Sequence, residues 1–488
     1  MNYRIVARTL GTMFIITSCC MIPSMLIAIY YKDDVSLSSF FLVSFTMTVI
    51  GILLKKIPKK SDLIRLREGY LIVVLTWFLV CFFCALPYYI SGAIPDFFNA
   101  LFESTSGVTT TGASALNDIE ALPEAMLFWR SFTHWMGGLG ILTMAIAILP
   151  ALGISGFQMA KAEASNSNLD KTAPKMTDMA KILYKTYFCL TAVCFMLLLL
   201  GGMNIFDAAA HAFSAIATGG FSTKNLSIGY FNSAYIEAVL GFFMIVGSIS
   251  FPLLYASMVR RNIKALVNNE EIRFFIFLLS SGCIFSGIVL YANGIFDNFF
   301  TAMRYGAFQV ISVMTTSGFS TADYNLWPSA IIIMLLLLVY CGGCSGSTAG
   351  GVKIIRVLIF LKLLAREFKK KLHPKAVYTI RVKHETASND TAVTAATHII
   401  FFFLLCVLGG IIVSFDPGAD LTTAFSASFS STTNLGPGFG KVGPYGNFSF
   451  LQGWTKTFLS FLMITGKLEV FAVLMLFTPN FWNPDKYR

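Results

Sequence analysis

Long apolar stretches alternate with short polar or basic ones along most of the chain. Runs such as LIVVLTWFLVCFFCALPYYI (71–90), FCLTAVCFMLLLLGGM (188–203) and IIIMLLLLVY (331–340) approach or reach the roughly 20 residues that a helix needs to cross a hydrocarbon core. The spacing predicts ten crossing helices. Two of them, over 10–30 and 38–54, are joined only by the short loop YYKDDVS. The other eight fall into four pairs, and between the members of each pair lies a shorter amphipathic segment too brief to span. In the first pair this segment is SGAIPDFFNALFESTSG (91–107).

Each short segment ends in small hydroxylated residues closing on a glycine: VTTTGAS at 108–114, IATGGFST at 216–223, MTTSGFST at 314–321 and STTNLGPG at 431–438. Aligned on Gly112, Gly220, Gly318 and Gly436, they share a serine six positions earlier, at Ser106, Ser214, Ser312 and Ser430. The glycines recur at intervals of 108, 98 and 118 residues. Fourfold repetition of span, re-entrant helix, glycine segment and span predicts an all-α polytopic membrane protein with four pseudo-repeated units around one central pore. The two N-terminal helices stand outside the repeat. The expected divisions are 1–68 for those two helices and a basic loop, 69–155 for unit one, and 156–264 for a linker and unit two. Unit three follows at 265–365, and a basic linker with unit four at 366–488.

Composition agrees with a membrane setting: 56% of the 488 residues are hydrophobic and 12% charged, where soluble domains carry about 25% charged residues. A soluble enzyme is thereby the weakest class, and no clustered catalytic residues point to a membrane enzyme. The net charge of +11 raises nucleic acid as a partner, but its distribution answers that. Of the 36 Lys and Arg, 29 fall in 1–9, 55–68, 157–186, 259–273, 353–384 and 486–488. Alternation with poorly basic segments is the mark of cytoplasmic loops, so both termini are expected in the cytoplasm. The Arg-containing, apolar start resembles a signal peptide, but no small-residue cleavage site follows and a second span returns the chain, so an uncleaved first helix is expected. The KKKLHPK run (369–375) is read either as a solvated face or as a docking surface for a cytoplasmic partner or acidic lipid. Ten cysteines lie scattered, mostly within apolar runs, and the CxxC pairs Cys81/Cys84 and Cys341/Cys344 lack the further ligands of a zinc site.

Asp96, Asp207, Asp297 and Asp420 recur just before the re-entrant helices. They are expected to cap them, with an extracellular cation-attracting ring as the alternative. Unit three departs from the pattern. Its second span is interrupted by CGGCSGSTAGGVKIIR (341–356), and glycine costs about 1 kcal/mol per residue in a helix interior. Broken backbone at membrane depth must be buried in protein or line water, so a flexible loop beneath the filter is expected, with Gly342, Gly343, Gly346, Gly350 and Gly351 as candidate gate residues. A helix-packing motif is the alternative; the spacing does not match a phosphate loop.

The candidate ion-selecting residues are Thr110, Thr111, Gly112, Thr218, Gly219, Gly220, Thr316, Ser317, Gly318, Asn434, Leu435 and Gly436. Four loops of backbone carbonyls can replace a cation's hydration shell, and glycine permits the dihedrals that aim them. The segments carry no formal charge, which points to a large monovalent ion stripped of water rather than a divalent one.

With these loops, the GGCSGSTAGGVKIIR stretch and the terminal GKLEVF, the chain resembles the membrane subunits of the Trk/Ktr/HKT superfamily of potassium transporters, of the bacterial TrkH/TrkG type. The resemblance implies K+ selection at one glycine per loop and a gate at 341–352. It also implies a homodimer in the bacterial inner membrane and a cytoplasmic nucleotide-binding regulatory ring of the TrkA type. Gly112, where sodium-permeable plant relatives carry serine, implies potassium. Members commonly place Arg in the last helix, where this chain has Lys467, the expected gating charge. Pairing of Lys467 with Glu469 is the alternative role. A K+ symporter coupled to H+ or Na+ is the rival function, with Glu103 and Glu469 as its candidate acids; no cofactor is expected.

Overall fold

A computed structural model of the protein describes residues 1–58, 66–147, 176–259, 263–382 and 385–482. Most of the linker expected at 155–180, the centre of the basic loop 55–68, and the C-terminal 483–488 lie outside the described residues.

The leading pair consists of α1 (Tyr3–Cys20), which continues into α2 (Ile22–Tyr31), and α3 (Asp34–Lys56). Asp33 caps α3 by accepting from the Ser36 amide at 3.0 Å. Helices in lipid gain little from burying apolar surface against one another, so small residues and hydroxyls hold them together. Here Gly11 and Gly51 face each other so closely that a Cβ on either would meet the other's carbonyl, at 2.7 and 2.8 Å. Ser18 and Thr48 hydroxyls bridge the same interface at 2.6 Å. Phe14 on Phe83 and Phe40 on Trp129, both edge-on, fasten the pair to unit one.

Four units follow. Unit one is α4 (Leu66–Ile90), α5 (Phe97–Val108) and α6 (Glu124–Ala147). Unit two is α7 (Met176–Leu200), α8 (Ile205–Ile216), and α9 (Ala234–Gly247) with α10 (Phe251–Val259); the short α11 (Ile263–Val267) leads on. Unit three is α12 (Glu270–Ala292), α13 (Phe299–Met314), α14 (Ser329–Cys341) and α15 (Ile354–Leu372). Unit four is α16 (Asn389–Val413), α17 (Leu421–Thr433) and α18 (Gly453–Lys467) with α19 (Phe471–Leu474), and α20 (Pro479–Trp482) trails it. A two-stranded antiparallel hairpin, β1 (Ile380–Val382) and β2 (Glu385–Ala387), pairs Arg381 with Thr386 inside the basic linker. The described residues are thus all-α apart from this hairpin.

Among the described residues, six helices are long and apolar enough to cross a membrane, and two bent pairs qualify if each is taken as one span. The expectation that only unit three is broken needs correction. In unit two, α9 and α10 meet at 102°, and in unit four α18 and the chain after it meet at 110°. The signals were present but short: GSISFP (247–252), with Pro252 just inside the new helix, and GKLEV (466–470).

The polarity of the assembly is that of a protein solvated by lipid outside and by its own hydroxyls inside. Phe41, Phe45, Phe188, Met196, Phe277, Ile284 and Leu408 are exposed, whereas Ser104, Thr105, Thr109, Ser214, Thr315, Ser431 and Thr432 are buried.

Candidate functional site

The four re-entrant helices α5, α8, α13 and α17 begin at polar caps, as expected, but two of the four caps are different residues. Asp96 accepts from the Phe98 amide at 2.7 Å, and Asp420 from Thr423 at 3.2 Å. For α8 the cap is Asn204, and for α13 it is Asn298. Asp207 sits one turn in, where its carboxylate accepts from Thr223 Oγ1 at 2.5 Å and Asn204 Nδ2 at 2.9 Å. Asp297 precedes the cap of α13. Asp96 and Asp420 thus cap as expected, whereas Asp207 and Asp297 do not, Asp207 being committed to Thr223 and Asn204 instead.

All four helices end in one way. The residue two before each glycine, Thr110, Thr218, Thr316 or Asn434, has a left-handed backbone, with φ of 53°, 52°, 53° and 57°. The next amide reaches back to the carbonyl of the shared serine: Thr111 to Ser106, Gly219 to Ser214 and Ser317 to Ser312 at 2.8 Å, and Leu435 to Ser430 at 3.0 Å. A second bond runs from the left-handed residue's own amide to Gly107, Ala215, Val313 or Ser431. This is the Schellman end of a helix, with Thr or Asn where glycine is usual. A β-branched residue in that region costs of order 1–3 kcal/mol, and here the cost recurs three times. The shared serine therefore serves chiefly through its carbonyl. Its hydroxyl also clasps the far side of the loop in units three and four, at Phe319 O and Gly436 O, both 2.6 Å.

Beyond this turn the glycines close a ring. A Cβ built on Gly112 would strike the carbonyl of Gly219, one on Gly220 that of Ser317, one on Gly318 that of Leu435, and one on Gly436 that of Thr111, each closer than 3.0 Å. Every glycine thus lies against the carbonyl preceding the next glycine, round all four units and back to the first. All four also have positive φ, between 80° and 103°, so side chains are excluded on two counts. The twelve candidate residues Thr110 to Gly112, Thr218 to Gly220, Thr316 to Gly318 and Asn434 to Gly436 lie together in these four turns. An open vestibule of about 120 Å³ adjoins the ring, lined by all four glycines with Ser114, Ser222, Ser320 and Tyr445 among others. At its rim Asn225 Nδ2 donates to Asp118 at 2.8 Å and holds that carboxyl below its ordinary range.

The other face of the ring rests on the 342–353 break, and here each unit contributes a contact. Lys467 Nζ donates to Thr110 Oγ1 at 2.5 Å and to the carbonyl of Thr348 at 2.8 Å. Thr218 and Thr348 hydroxyls lie 3.3 Å apart. The Gly350 amide donates to Thr316 Oγ1 at 2.7 Å, and that of Gly351 to Thr433 O at 2.9 Å. Gly350 needs its bare Cα because a Cβ there would collide with Thr433 O. Gly342, Gly343 and Gly346 turn the rest of the loop, whose Cys344 amide and Gly346 carbonyl bond to Ser248 and Phe251 at the unit-two break. The alternative of a continuous packing helix at 341–352 is not what is observed.

Lys467 is buried and does not pair with Glu469. Glu469, itself left-handed at φ 57°, pairs instead with Arg356 at the start of α15, whose Nη1 also lies 3.3 Å from His398. Glu103 is also committed: it accepts from Arg130 Nε at 2.6 Å, Ser114 Oγ at 3.1 Å and the Ala115 amide at 3.0 Å.

Residues 37–483 match the family model of the TrkH cation transport proteins. The chain belongs to the TrkH family. It is 36% identical to the Trk system potassium uptake protein TrkH of Halomonas elongata over 99% of this chain and all of that one. It is 34% identical to the TrkG protein of Escherichia coli, over 99% of each chain. The crystal structure of the potassium transporter TrkH from Vibrio parahaemolyticus superposes with a TM-score of 0.89 at 34% identity, covering 99% of this chain and 100% of that one.

For this TrkH-family chain, sequence reasoning passed over Arg130, His134 and Thr348. Arg130 stacks on Phe221 at 3.9 Å and donates to Ser222 O at 3.1 Å. His134 Nδ1 bonds Gly107 O at 2.8 Å while its Nε2 accepts from the Phe221 amide at 3.2 Å. A charge and an imidazole within a span, in RSFTHW (130–135), were the available signal.

Proposed function

We propose that the chain is a potassium uptake protein of the bacterial inner membrane, passing K+ through the four-glycine ring under control of the 341–352 loop and Lys467. The observation that carries this reading is the closed ring in which each glycine abuts the carbonyl preceding the next. It supplies backbone oxygens from four sides with no side chain between them, the arrangement suited to a dehydrated monovalent cation. The helices α5, α8, α13 and α17 direct their C-terminal, partially negative ends at this place, which adds to its attraction for a cation.

The names of the similar proteins, potassium uptake and potassium transporter, support K+ as the ion. Gating by the loop is supported by its seat against all four turns and by the buried ammonium of Lys467 between Thr110 and Thr348. Coupled symport needs a carboxylate free to load and unload an ion at membrane depth; the commitment of Glu103 and Glu469 to arginines supports the channel-like reading instead. The homodimer, the cytoplasmic termini and the nucleotide-binding TrkA-type ring come from the family resemblance and the charge pattern. The basic end of α15 is a natural place for such a ring to act. The reading involves no catalysis and no cofactor, and K+ is cargo.

The test is radioactive rubidium uptake into proteoliposomes, competed by K+ and by Na+, for the wild type and Gly318→Ser. Strong competition by K+, weak competition by Na+ and loss of that difference in the variant support the filter. Equal competition by Na+ in the wild type, or uptake that requires an imposed proton gradient and ignores the substitution, contradicts it.

A further inference from the structure

Counting nine residues back from each ring glycine gives Glu103, His211, Gln309 and Ala427, all fully buried. The first three side chains do the same thing with different chemistry: each reaches from the re-entrant helix to the strand that leaves the filter on the vestibule side. Glu103 accepts from Ser114 and the Ala115 amide, two and three residues past its glycine. His211 Nε2 bonds the Ser222 hydroxyl at 2.9 Å, two past. Gln309 Nε2 donates to Ala322 O at 3.1 Å, four past. In unit four Ala427 cannot reach, and the neighbouring Ser426 hydroxyl substitutes, donating to Phe439 O at 2.9 Å.

We propose that the residue nine positions before the ring glycine in units one to three is a positioning residue for ion selection, with Glu103, clamped by Arg130, fixing the outer width of the ring. This inference rests on the filter reading above. The clamp is the strongest of the four because it is charged, fully buried and spans two units. Arg130 holds Glu103 of unit one while its guanidinium donates to Ser222 O and stacks on Phe221 of unit two. Charge-assisted bonds are roughly twice as strong as neutral ones. The braces therefore grade from ion pair, through imidazole and amide, to a lone serine hydroxyl. The carbonyls of Thr111 and Gly219, next to the strongest brace, are the most firmly held of the ring. Gln309 Oε1 and Arg130 Nη2 each lack a hydrogen-bond partner among the described residues, so the grading rests on charge.

The experiment is the rubidium competition assay on purified, folded Glu103→Gln, Arg130→Gln, His211→Gln and Gln309→Leu, with the wild type and Gly318→Ser beside them and thermal melting measured for each. Glu103→Gln keeps the size of the side chain and loses the ion pair; we expect about a tenfold loss of K+ over Na+ discrimination, the scale of one lost hydrogen bond. Gln309→Leu is expected to lose less, and His211→Gln to fall between them. A brace with a purely structural role would lower the melting temperature and leave the K+ to Na+ ratio of the folded fraction unchanged, and that result overturns the proposal. Should Glu103→Gln not fold, His211→Gln and Gln309→Leu decide: a reduced ratio supports the braces, and an unchanged one rejects them. If Gly318→Ser also keeps wild-type discrimination, the filter reading itself has failed and the inference falls with it. If Gly318→Ser loses discrimination while every folded brace variant keeps it, only the inference is lost.

Discussion

The two glycine-rich regions of this protein touch each other and both pack their glycines against carbonyls, but they are tied to the rest of the molecule differently. In the ring, each glycine is wedged against a neighbouring carbonyl, its turn is anchored by two bonds to a helix end, and braces hold the strand beyond. The glycines of the 341–352 loop are also tightly packed, Gly342 against Gly350 O and Gly350 against Thr433 O, but the loop meets the four turns through few bonds: Lys467 links Thr110 to Thr348, and Thr348, Gly350 and Gly351 bond to Thr218, Thr316 and Thr433. On the proposed reading, the same residue type serves rigidity in one place and release in the other. What differs is how each region is tied to its surroundings. A region over-determined by helix ends and close packing keeps its geometry, whereas one held by a few exchangeable bonds can leave as a unit.

That contrast can be broken most directly at the ring. Gly318→Ser places a side chain on top of Leu435 O and Pro437 Cδ. We expect K+ to Na+ discrimination to collapse by one to two orders of magnitude, roughly the effect of a few kcal/mol, measured by ion competition. At the loop, Lys467→Gln removes the buried ammonium while leaving a donor for Thr110. Uptake in the absence of any partner is expected to rise several-fold at unchanged discrimination, read as initial rubidium flux. One step further from the pathway, Glu469→Gln unpairs Arg356 at the foot of the loop. Leaving a buried charge without its partner costs about 3–5 kcal/mol at worst. We expect a lower melting temperature and a smaller rise in flux than for Lys467→Gln. Smallest is Asp96→Ala, which removes a cap at the vestibule end of α5. It should cost about 1 kcal/mol of stability by denaturation and leave flux and discrimination as they were.

Much of this architecture was legible in the sequence because the constraint that shapes it is repeated four times. The glycine with its serine six residues earlier marked every re-entrant turn, and the five glycines of 341–351 announced a break. What escaped notice carries weaker signals. The bends at 248–250 and 468–470 lack a glycine cluster, because Pro252 and a left-handed Glu469 accomplish locally what five glycines do in unit three. Asn204 and Asn298 cap in place of Asp207 and Asp297 since a cap is chosen by a shift of one to three residues, below the resolution of pattern alone. Arg130 and His134 looked like ordinary members of a span; their partners Glu103, Gly107, Phe221 and Ser222 lie 27 to 92 residues away. The left-handed Thr110, Thr218 and Thr316 ran against propensity outright, and Asn434 was the one member of that set whose type hinted at it.

The central claim is that selection and gating reside in separate glycine-rich regions. Its most direct test is the reversal potential under K+ on one side and Na+ on the other, recorded in planar bilayers for the wild type, Gly318→Ser and Lys467→Gln. The account predicts that Lys467→Gln keeps the wild-type reversal potential while carrying more current, and that Gly318→Ser moves it toward zero. A shifted reversal potential in Lys467→Gln together with an unshifted one in Gly318→Ser would contradict it.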